Sequence, residues 1–203
     1  MEWIFFDLGA TLVDEREVYK SRCEYASKEL NMELDDFIAE VHKMARISPT
    51  PIRAAAAALG ATLPQWDNGK EKLYEGAADL IASLYGKYKL GIIANQSPGT
   101  QERIDRWGIG KYFDVVVASA EAGCNKPDPE IFRLALKKAG CDPSEAYMVG
   151  DRLDNDIVPA KKLGMKTIWV RQEYAIYQNI DDESMRPDHI ADCLAELKEL
   201  FRL

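Results

Sequence analysis

The sequence predicts an α/β fold in which a parallel sheet, covered by helices on both faces, carries an inserted all-helical domain. Three observations support this prediction. Five short apolar runs are rich in the β-branched and aromatic residues that favour strands. Helical stretches separate most of these runs, as expected for a parallel sheet. The interval between Leu12 and Lys89 contains helical patterns and no convincing strand.

The five predicted strands are apolar along their whole length instead of alternating between apolar and polar residues. That pattern is typical of strands that are covered on both faces. The strands are predicted over residues 2–6, 89–94, 113–119, 146–150 and 166–170.

Capping residues mark the helices that connect these strands. Ser97 is predicted to cap one helix, with Pro98 at its first position, and Asp128 is predicted to cap another, with Pro129 following. A third helix is predicted over residues 154–163. The glycines predicted to end the three helices are Gly108, Gly140 and Gly164.

The interval after the first strand is too long to be a single crossover, which needs about a dozen residues. Its apolar residues recur at helical spacing, and the run IRAAAAALG is a strong helix former. We therefore predict a helical cap domain over residues 14–85, inserted into a core formed by residues 1–13 and 86–203. Extra helices packed directly on the sheet are the alternative interpretation.

Composition argues against several classes of protein. The net charge is −8 and the pI is about 4.9, and no basic stripe is present, so a nucleic-acid partner is not expected. No apolar run approaches the roughly 20 residues that span a bilayer, so no membrane partner is expected. The four cysteines stand far apart without a Cys-x-x-Cys pair. They are interpreted as reduced thiols of a cytoplasmic protein.

Polar residues follow the predicted strands at the edge where parallel sheets bind ligands. Asp7 ends the first strand, Asn95 follows the second, and Lys126 precedes the helix after the third. Asp151 and Asp156 follow the fourth. Each feature alone also fits a turn or a helix start. Together, carboxylates in one place repel each other unless a cation compensates, and a few oxygen ligands suit Mg²⁺.

Three segments carry a resemblance to a known family: FFDLGATL, NKPDPEIF and MVGDRLDNDIVPAKKLGM. In this order they resemble the haloacid dehalogenase superfamily, whose members are mostly magnesium-dependent phosphohydrolases. The resemblance runs from Phe5 to about Val170. It implies a Rossmann-like core with a helical cap inserted after the first motif, and a small phosphorylated molecule as substrate.

The resemblance also implies roles for individual residues. Asp7 would be the nucleophile that takes the phosphoryl group. Asp7 and Asp151 would bind Mg²⁺ through their side chains, and Gly9 through its carbonyl oxygen. Lys126 would be catalytic by stabilising the transferring phosphoryl charge. Asp156 would not bind the metal directly but would orient Lys126 or a metal-bound water.

Three residues are expected to serve substrate binding in the same scheme. Lys126 would contact the phosphoryl group directly, and Asn95 would donate through its side-chain amide. Thr11 would help by orienting the loop of Asp7. Asp154 is expected to be a helix cap or a surface residue.

Two positions depart from the family pattern. Phosphatases of the family carry a second aspartate two residues after the nucleophile, where this chain has Gly9. A positioned acid/base contributes about 10²- to 10⁴-fold in rate, or roughly 3 to 5.5 kcal/mol. The family also usually offers a hydroxyl where this chain has Ala94. Both departures predict a weakened or redirected activity.

Three functions remain open on these residues. The first is a hydrolase with Asp7 as nucleophile, better toward leaving groups that need no proton. The second is phosphonatase- or dehalogenase-like chemistry, for which Lys43 would be the cap lysine and Gly9 stands where dehalogenases have tyrosine. The third is a non-catalytic module that binds Mg²⁺ and a phosphorylated ligand. Substrate identity and oligomeric state stay open.

The cap is expected to select the substrate by closing over the sheet edge. Arg46 and Arg53 are its candidate anion-binding residues, because they flank the break ISPTP between two predicted helices. Trp66 is expected to fill the cap's core. His42 and His189 lack partners at metal-ligand spacing and are expected to have packing or surface roles.

Overall fold

A computed structural model describes residues 1–202, which contain one main sheet and a small second one. The main sheet has six parallel strands in the order β5-β4-β1-β6-β7-β8. The strands of these residues, in chain order, are β1 (Trp3–Phe6), β2 (Val13–Asp14), β3 (Lys72–Leu73), β4 (Lys89–Ala94), β5 (Val115–Ala118), β6 (Ala146–Gly150), β7 (Lys166–Val170) and β8 (His189–Ala191).

Helices surround this sheet and form the insert. The α-helices of the described residues, in chain order, are α1 (Arg16–Glu29), α2 (Leu34–Ala45), α3 (Pro51–Leu59), α4 (Ala77–Leu84), α5 (Thr100–Arg106), α6 (Ser119–Ala122), α7 (Pro129–Ala139), α8 (Val158–Lys162) and α9 (Leu194–Leu200). None of the helices in residues 1–202 is both long and apolar enough to cross a membrane.

Alternate side chains of β1 enter two different hydrophobic cores, one on each face of the sheet. Ile4 and Phe6 pack with residues of α4, α5 and α9. Trp3 and Phe5 pack with residues of α7 and α8. The predicted α/β fold with helices on both faces is therefore confirmed.

The insert has a hydrophobic core of its own. Residues of α1, α2 and α3 bury Ala26, Phe37, Val41 and Ala55 completely. This cluster of buried side chains is separate from both clusters on the sheet. The predicted helical insert after the first strand is thus present.

The predicted domain boundaries remain a proposal, and the packing bears on one of them. Helix α4, which lies inside the predicted cap range 14–85, buries Leu80 and Ile81 in the same cluster as Ile4 of the sheet. This packing favours a return of the chain to the core before residue 77. The predicted core range ends at residue 203, which lies outside the described residues.

Two sequence-based expectations about strands were wrong. The interval between Leu12 and Lys89 contains the short antiparallel ribbon β2–β3. Each of its strands has only two residues, which is too short to give a recognisable strand pattern in the sequence. Strand β8 was also missed. It has only three residues and sits at the sheet edge, where His189 and Ile190 are exposed, so it lacks a continuous apolar signal.

The predicted helix starts succeeded at α7 and failed at α5, although Gly108 does follow the end of α5 in the left-handed conformation. Asp128 caps α7 by accepting a hydrogen bond from the amide of Glu130, and Gly140 ends the helix in the left-handed conformation. Ser97 was predicted to cap α5, but that helix begins at Thr100, after Gly99. The hydroxyl of Ser97 accepts a hydrogen bond from Arg103 instead.

Candidate active site

Three carboxylates from two separate segments of the chain meet at the carboxyl edge of the sheet. Asp7 follows β1, Asp151 follows β6, and Asp156 lies in a π-helical turn over Leu153–Ile157. One carboxylate oxygen from each of the three lies within 4.8 Å of the other two. The sequence separates these residues by up to 149 positions, so the parallel strand order creates the cluster.

Lys126 supplies a positive charge inside this cluster. Its Nζ lies 2.8 Å from Oδ1 of Asp7 and 2.6 Å from Oδ1 of Asp156, and its side chain is 1 % exposed. Burial, the largest influence, lowers the pKa of Lys126, but the charges of Asp156 and Asp7 together raise it above the ordinary value. The amine is therefore held as an ammonium ion beside Asp7.

The carboxylates outnumber the cation, and their pKa values reflect this imbalance. Burial and then the charges of Asp156 and Asp7 raise the pKa of Asp151 well above its usual range. Burial likewise raises the pKa of Asp156 to about 6, against the lowering effect of Lys126. An all-oxygen donor set with excess negative charge fits a hard divalent cation such as Mg²⁺.

Asp156 is fixed from both of its oxygens. Oδ1 accepts from Lys126, and Oδ2 accepts a hydrogen bond from the amide of Arg152 at 2.9 Å. This close fit depends on Gly150, because a Cβ there would lie 2.6 Å from Oδ2 of Asp156. Gly150 was not recognised as a site residue from the sequence, although a glycine ending a buried strand is a usable signal for close approach.

Thr11 and Asn95 contact other site residues in the structure. Thr11 is fully buried, and its hydroxyl donates to Oδ1 of Asp151 at 3.3 Å. Asn95 forms a reciprocal pair with the backbone of Lys126, accepting from its amide at 2.8 Å and donating to its carbonyl at 2.9 Å. Asn95 therefore helps to hold Lys126 in position.

The space beside Gly9, where the side chain of a second aspartate would begin, is occupied by the carboxylate of another residue. A Cβ built on Gly9 would lie 2.7 Å from Cδ and 2.8 Å from Oε2 of Glu15. The side chain of Glu15 thus fills the space that a side chain at residue 9 would need. Both residues line the same cavity as Asp7.

Glu15 is held in a polar and mostly buried setting. It is 5 % exposed, and its Oε2 accepts a hydrogen bond from the hydroxyl of Tyr19. Burial raises the pKa of Glu15 to about 8. The hydrogen bond from Tyr19 opposes this change, and the charge of Glu173 adds to it. Glu15 was not singled out from the sequence, because it lies beyond the first motif, at the start of a helix.

A cavity of about 350 Å³ lies over the carboxylate cluster, between core and cap. Asp7, Lys126 and Asp151 line it from the core. Its cap-side residues include Glu15, Tyr19, Arg22, Pro49, Thr50, Pro51, Ile52, Arg53 and Trp66.

The two candidate arginines of the cap differ in their position relative to the cavity. Both are exposed, but Arg53 lines the cavity and Arg46 does not. Trp66 was expected to fill the cap's core, but it lines the cavity instead. Two contacts hold it there: its Nε1 donates to Glu71 at 2.6 Å, and its ring meets the ring of Tyr19 edge-on.

Arg22 is a cavity residue that the sequence analysis missed. It is 9 % exposed, and its Nε has no hydrogen-bond partner among the described residues. Its guanidinium carbon lies 5.3 Å from the centre of the Trp66 ring. Burial, and then the charge of Arg53, lowers the pKa of Arg22. Its position within a helical stripe carried no sequence signal of a site.

Arg152 connects the carboxylate cluster to the cap. Its guanidinium pairs with Asp154 at 2.9 Å and donates to the carbonyl oxygens of Ala45 and Ser48 in the cap. Asp154, expected to be a helix cap or a surface residue, therefore acts as the partner of Arg152 and does not cap a helix. The connection fixes the turn that carries Asp156 against the end of α2.

The remaining singled-out residues lie away from the cluster. Lys43 is exposed and pairs with Glu40 at 2.6 Å, so no desolvated cap lysine appears at this position. His42 stacks on Tyr177 with ring centres 4.3 Å apart, and His189 is exposed in β8. Ala94 is completely buried at the end of β4.

Comparison with known families decides the membership of this chain. Residues 4–170 match the family model described as haloacid dehalogenase-like hydrolase. The chain belongs to this family. The match covers the motifs of Asp7, Lys126 and Asp151, and it covers the whole helical insert.

Curated relatives of this hydrolase are similar over part of their length. A glyceraldehyde 3-phosphate phosphatase of Pyrococcus abyssi is 48% identical over 85 residues, which are 41% of this chain and 36% of the relative. The pyrimidine 5'-nucleotidase YjjG of Escherichia coli is 35% identical over 128 residues, 62% of this chain and 55% of the relative. The aligned part of the chain thus spans about half or less of these proteins.

Solved structures share the fold over nearly their whole length. A HAD phosphatase from Thermococcus onnurineus has a TM-score of 0.68 at 24% identity, with 99% of this chain and 98% of that chain covered. The HAD-hydrolase YfnB from Bacillus subtilis, solved bound to magnesium, has a TM-score of 0.73 at 20% identity, with 100% and 99% covered.

Proposed function

We propose that this protein is a magnesium-dependent phosphohydrolase that uses Asp7 as its nucleophile. The observation that carries the proposal is the contact of 2.8 Å between Asp7 and the buried ammonium of Lys126, inside a cluster of three carboxylates. A carboxylate oxygen held beside a fixed cation is placed to attack phosphorus. The same cation can neutralise charge on the transferring phosphoryl group.

The carboxylates of Asp7 and Asp151, with the carbonyl oxygen of Gly9, would hold Mg²⁺. The ion would supply further neutralisation of the phosphoryl oxygens. Asp156 keeps Lys126 in position through the hydrogen bond of 2.6 Å, and Asn95 does so through the lysine backbone. Thr11 supports Asp151 by its hydroxyl.

We further propose that Glu15 performs the proton transfers that Gly9 cannot. In the first step, Asp7 attacks phosphorus, the bond to the leaving oxygen breaks, and Glu15 gives that oxygen a proton. In the second, Glu15 takes a proton from the water that attacks phosphorus, and Asp7 is released as a carboxylate. The proposal rests on the overlap between the Glu15 carboxylate and the space beside Gly9.

The substrate class follows from cavity size and from the relatives. A cavity of about 350 Å³ suits a small metabolite. The similar curated proteins are named a glyceraldehyde 3-phosphate phosphatase and a pyrimidine 5'-nucleotidase. We infer that the substrate is a small phosphorylated metabolite.

Removal of the metal tests this function. With an activated aryl phosphate, we expect turnover in Mg²⁺, loss of turnover in a chelator, and recovery when Mg²⁺ is restored. The measurement is the release of the phenolate, followed by absorbance, with calorimetry of Mg²⁺ binding beside it.

The other outcomes contradict the proposal in different ways. Turnover that persists in the chelator would indicate dehalogenase-like chemistry. Binding of Mg²⁺ without turnover of any phosphate ester would indicate a binding module. Turnover of phosphonates alone would indicate a phosphonatase, although Lys43 is exposed and paired with Glu40.

A further inference from the structure

The wall of the cavity that faces the carboxylate cluster carries unneutralised positive charge. Arg22 of α1 and Arg53 of α3 both line the cavity, and burial, followed by the charge of Arg53, lowers the pKa of Arg22. Among residues 1–202, neither arginine forms an ion pair with a carboxylate, in contrast to Arg103 and Arg152. Two neighbouring cations without an acidic partner favour an anion between them.

Arg22 is also constrained in a way that suits recognition. Arg22 is 9 % exposed, and its Nε is without a hydrogen-bond partner in the described chain. Trp66 covers the guanidinium at 5.3 Å and limits its freedom. A buried polar group without a partner is costly, so a ligand that accepts from it gains affinity.

The same two arginines also line a second groove, next to the cavity that lies over Asp7. Arg22, Arg53 and Trp66 also line a larger, neighbouring groove on the cap, where Ala56 and Leu63 form part of the wall. The arginine pair thus stands where the first cavity meets this groove. A substrate can therefore reach the pair with a group remote from its phosphate.

We propose that Arg22 and Arg53 bind a second anionic group of the substrate, a carboxylate or a second phosphate, at the end opposite the scissile phosphoryl group. The phosphoryl group itself is served by Lys126 and the carboxylate cluster on the core side. This inference rests on the proposed function, because that function defines where the phosphoryl group lies. It makes the preferred substrate a small metabolite with two anionic ends.

A titration series tests the proposal without requiring turnover. The probes are methylphosphonate, with one anionic group, and phosphonoacetate, 3-phosphonopropionate and 4-phosphonobutyrate, with a carboxylate at increasing distance. Methylenediphosphonate tests a phosphate as the second group. Each is titrated into the protein in Mg²⁺ by calorimetry.

We expect at least one two-anion probe to bind about tenfold to a hundredfold more tightly than methylphosphonate, the range of a charge-assisted hydrogen bond. Arg22→Gln should remove this preference by weakening the two-anion probes about tenfold or more beyond any loss of affinity for methylphosphonate. Arg22→Lys should keep part of it, because the charge remains without the bidentate geometry. The matched control is Arg46→Gln, an exposed arginine of the same cap, which should keep the full preference.

Two results would overturn the proposal: no two-anion probe binds more tightly than methylphosphonate, or the preference survives in folded Arg22→Gln protein. Thermal unfolding of each variant checks the fold, and Arg22→Lys covers the case in which Arg22→Gln fails to fold. If methylphosphonate does not bind but an Arg22-dependent preference for the two-anion probes exists, the anion site stands and the proposed function fails.

Discussion

Replacement of Asp7 by asparagine is expected to reduce turnover of every phosphate ester to the background rate, a loss of at least about 10⁴-fold. Asparagine has nearly the same shape, but its amide cannot attack phosphorus and is a poor ligand for Mg²⁺. Steady-state release of phosphate from an activated aryl phosphate measures the effect.

The fold should survive this change. Lys126 would keep its contact of 2.6 Å with Asp156, so the buried ammonium would not be left without a carboxylate. The matched control is Asp114→Asn, which removes the charge from another aspartate–lysine pair, that of Asp114 and Lys89 at 3.0 Å, away from the site. It should retain full activity. Substantial activity in Asp7→Asn would rule out Asp7 as the nucleophile.

Replacement of Glu15 by glutamine is expected to slow the hydrolysis of alkyl phosphates by about 10²- to 10⁴-fold. Alkoxide leaving groups need a proton in the transition state, and glutamine cannot supply one. Nitrophenolate leaves without a proton, so transfer of its phosphoryl group to Asp7 should be nearly unaffected. Burst and steady-state kinetics on both kinds of ester separate this step from hydrolysis of the intermediate.

A double variant that moves the carboxylate from position 15 to position 9 tests this prediction further. Gly9→Asp alone forces the new side chain against the carboxylate of Glu15. With Glu15→Ala also present, that space is vacant, and the aspartate can take over the proton transfers. We expect the double variant to be at least tenfold faster on alkyl phosphates than Glu15→Ala alone.

The control for both experiments is Glu17→Gln, an exposed residue in the first turn of the same helix, which should behave like the unmodified protein. Equal losses on alkyl and aryl esters in the rate of phosphoryl transfer to Asp7, measured in the burst phase of Glu15→Gln, would contradict proton donation by Glu15 and leave it a structural residue. Failure of Gly9→Asp to improve the Glu15→Ala variant would contradict the idea that the two positions share one space.

The sheet and the carboxylate cluster were predictable because both follow from local patterns. Apolar runs reveal buried strands, and the polar residues that end them meet wherever parallel strands align. Asp7 and Asp151 could therefore be paired without any structure. Strand β8 was invisible for the converse reason, since His189 and Ile190 face solvent at the sheet edge.

The residues that were missed depend on contacts across the fold. Glu15 reaches the space beside Gly9 because the backbone turns back over residues 8–13, where the amide of Ala10 donates to the carbonyl of Val13. Arg22 lines the cavity together with Trp66, which comes from a later loop and covers its guanidinium. A helical stripe shows which residues can face the interior, but it does not show which of them will meet a ligand.

The most direct test of the account is to trap the phosphorylated nucleophile. The protein is mixed with Mg²⁺ and an activated aryl phosphate, quenched in acid during turnover and reduced with borohydride, which converts an aspartyl phosphate to homoserine. Peptide mass spectrometry then identifies the modified residue. The account predicts homoserine at position 7, absent when the phosphate ester is omitted. Steady turnover with residue 7 unmodified, or with the modification at another residue, would contradict it.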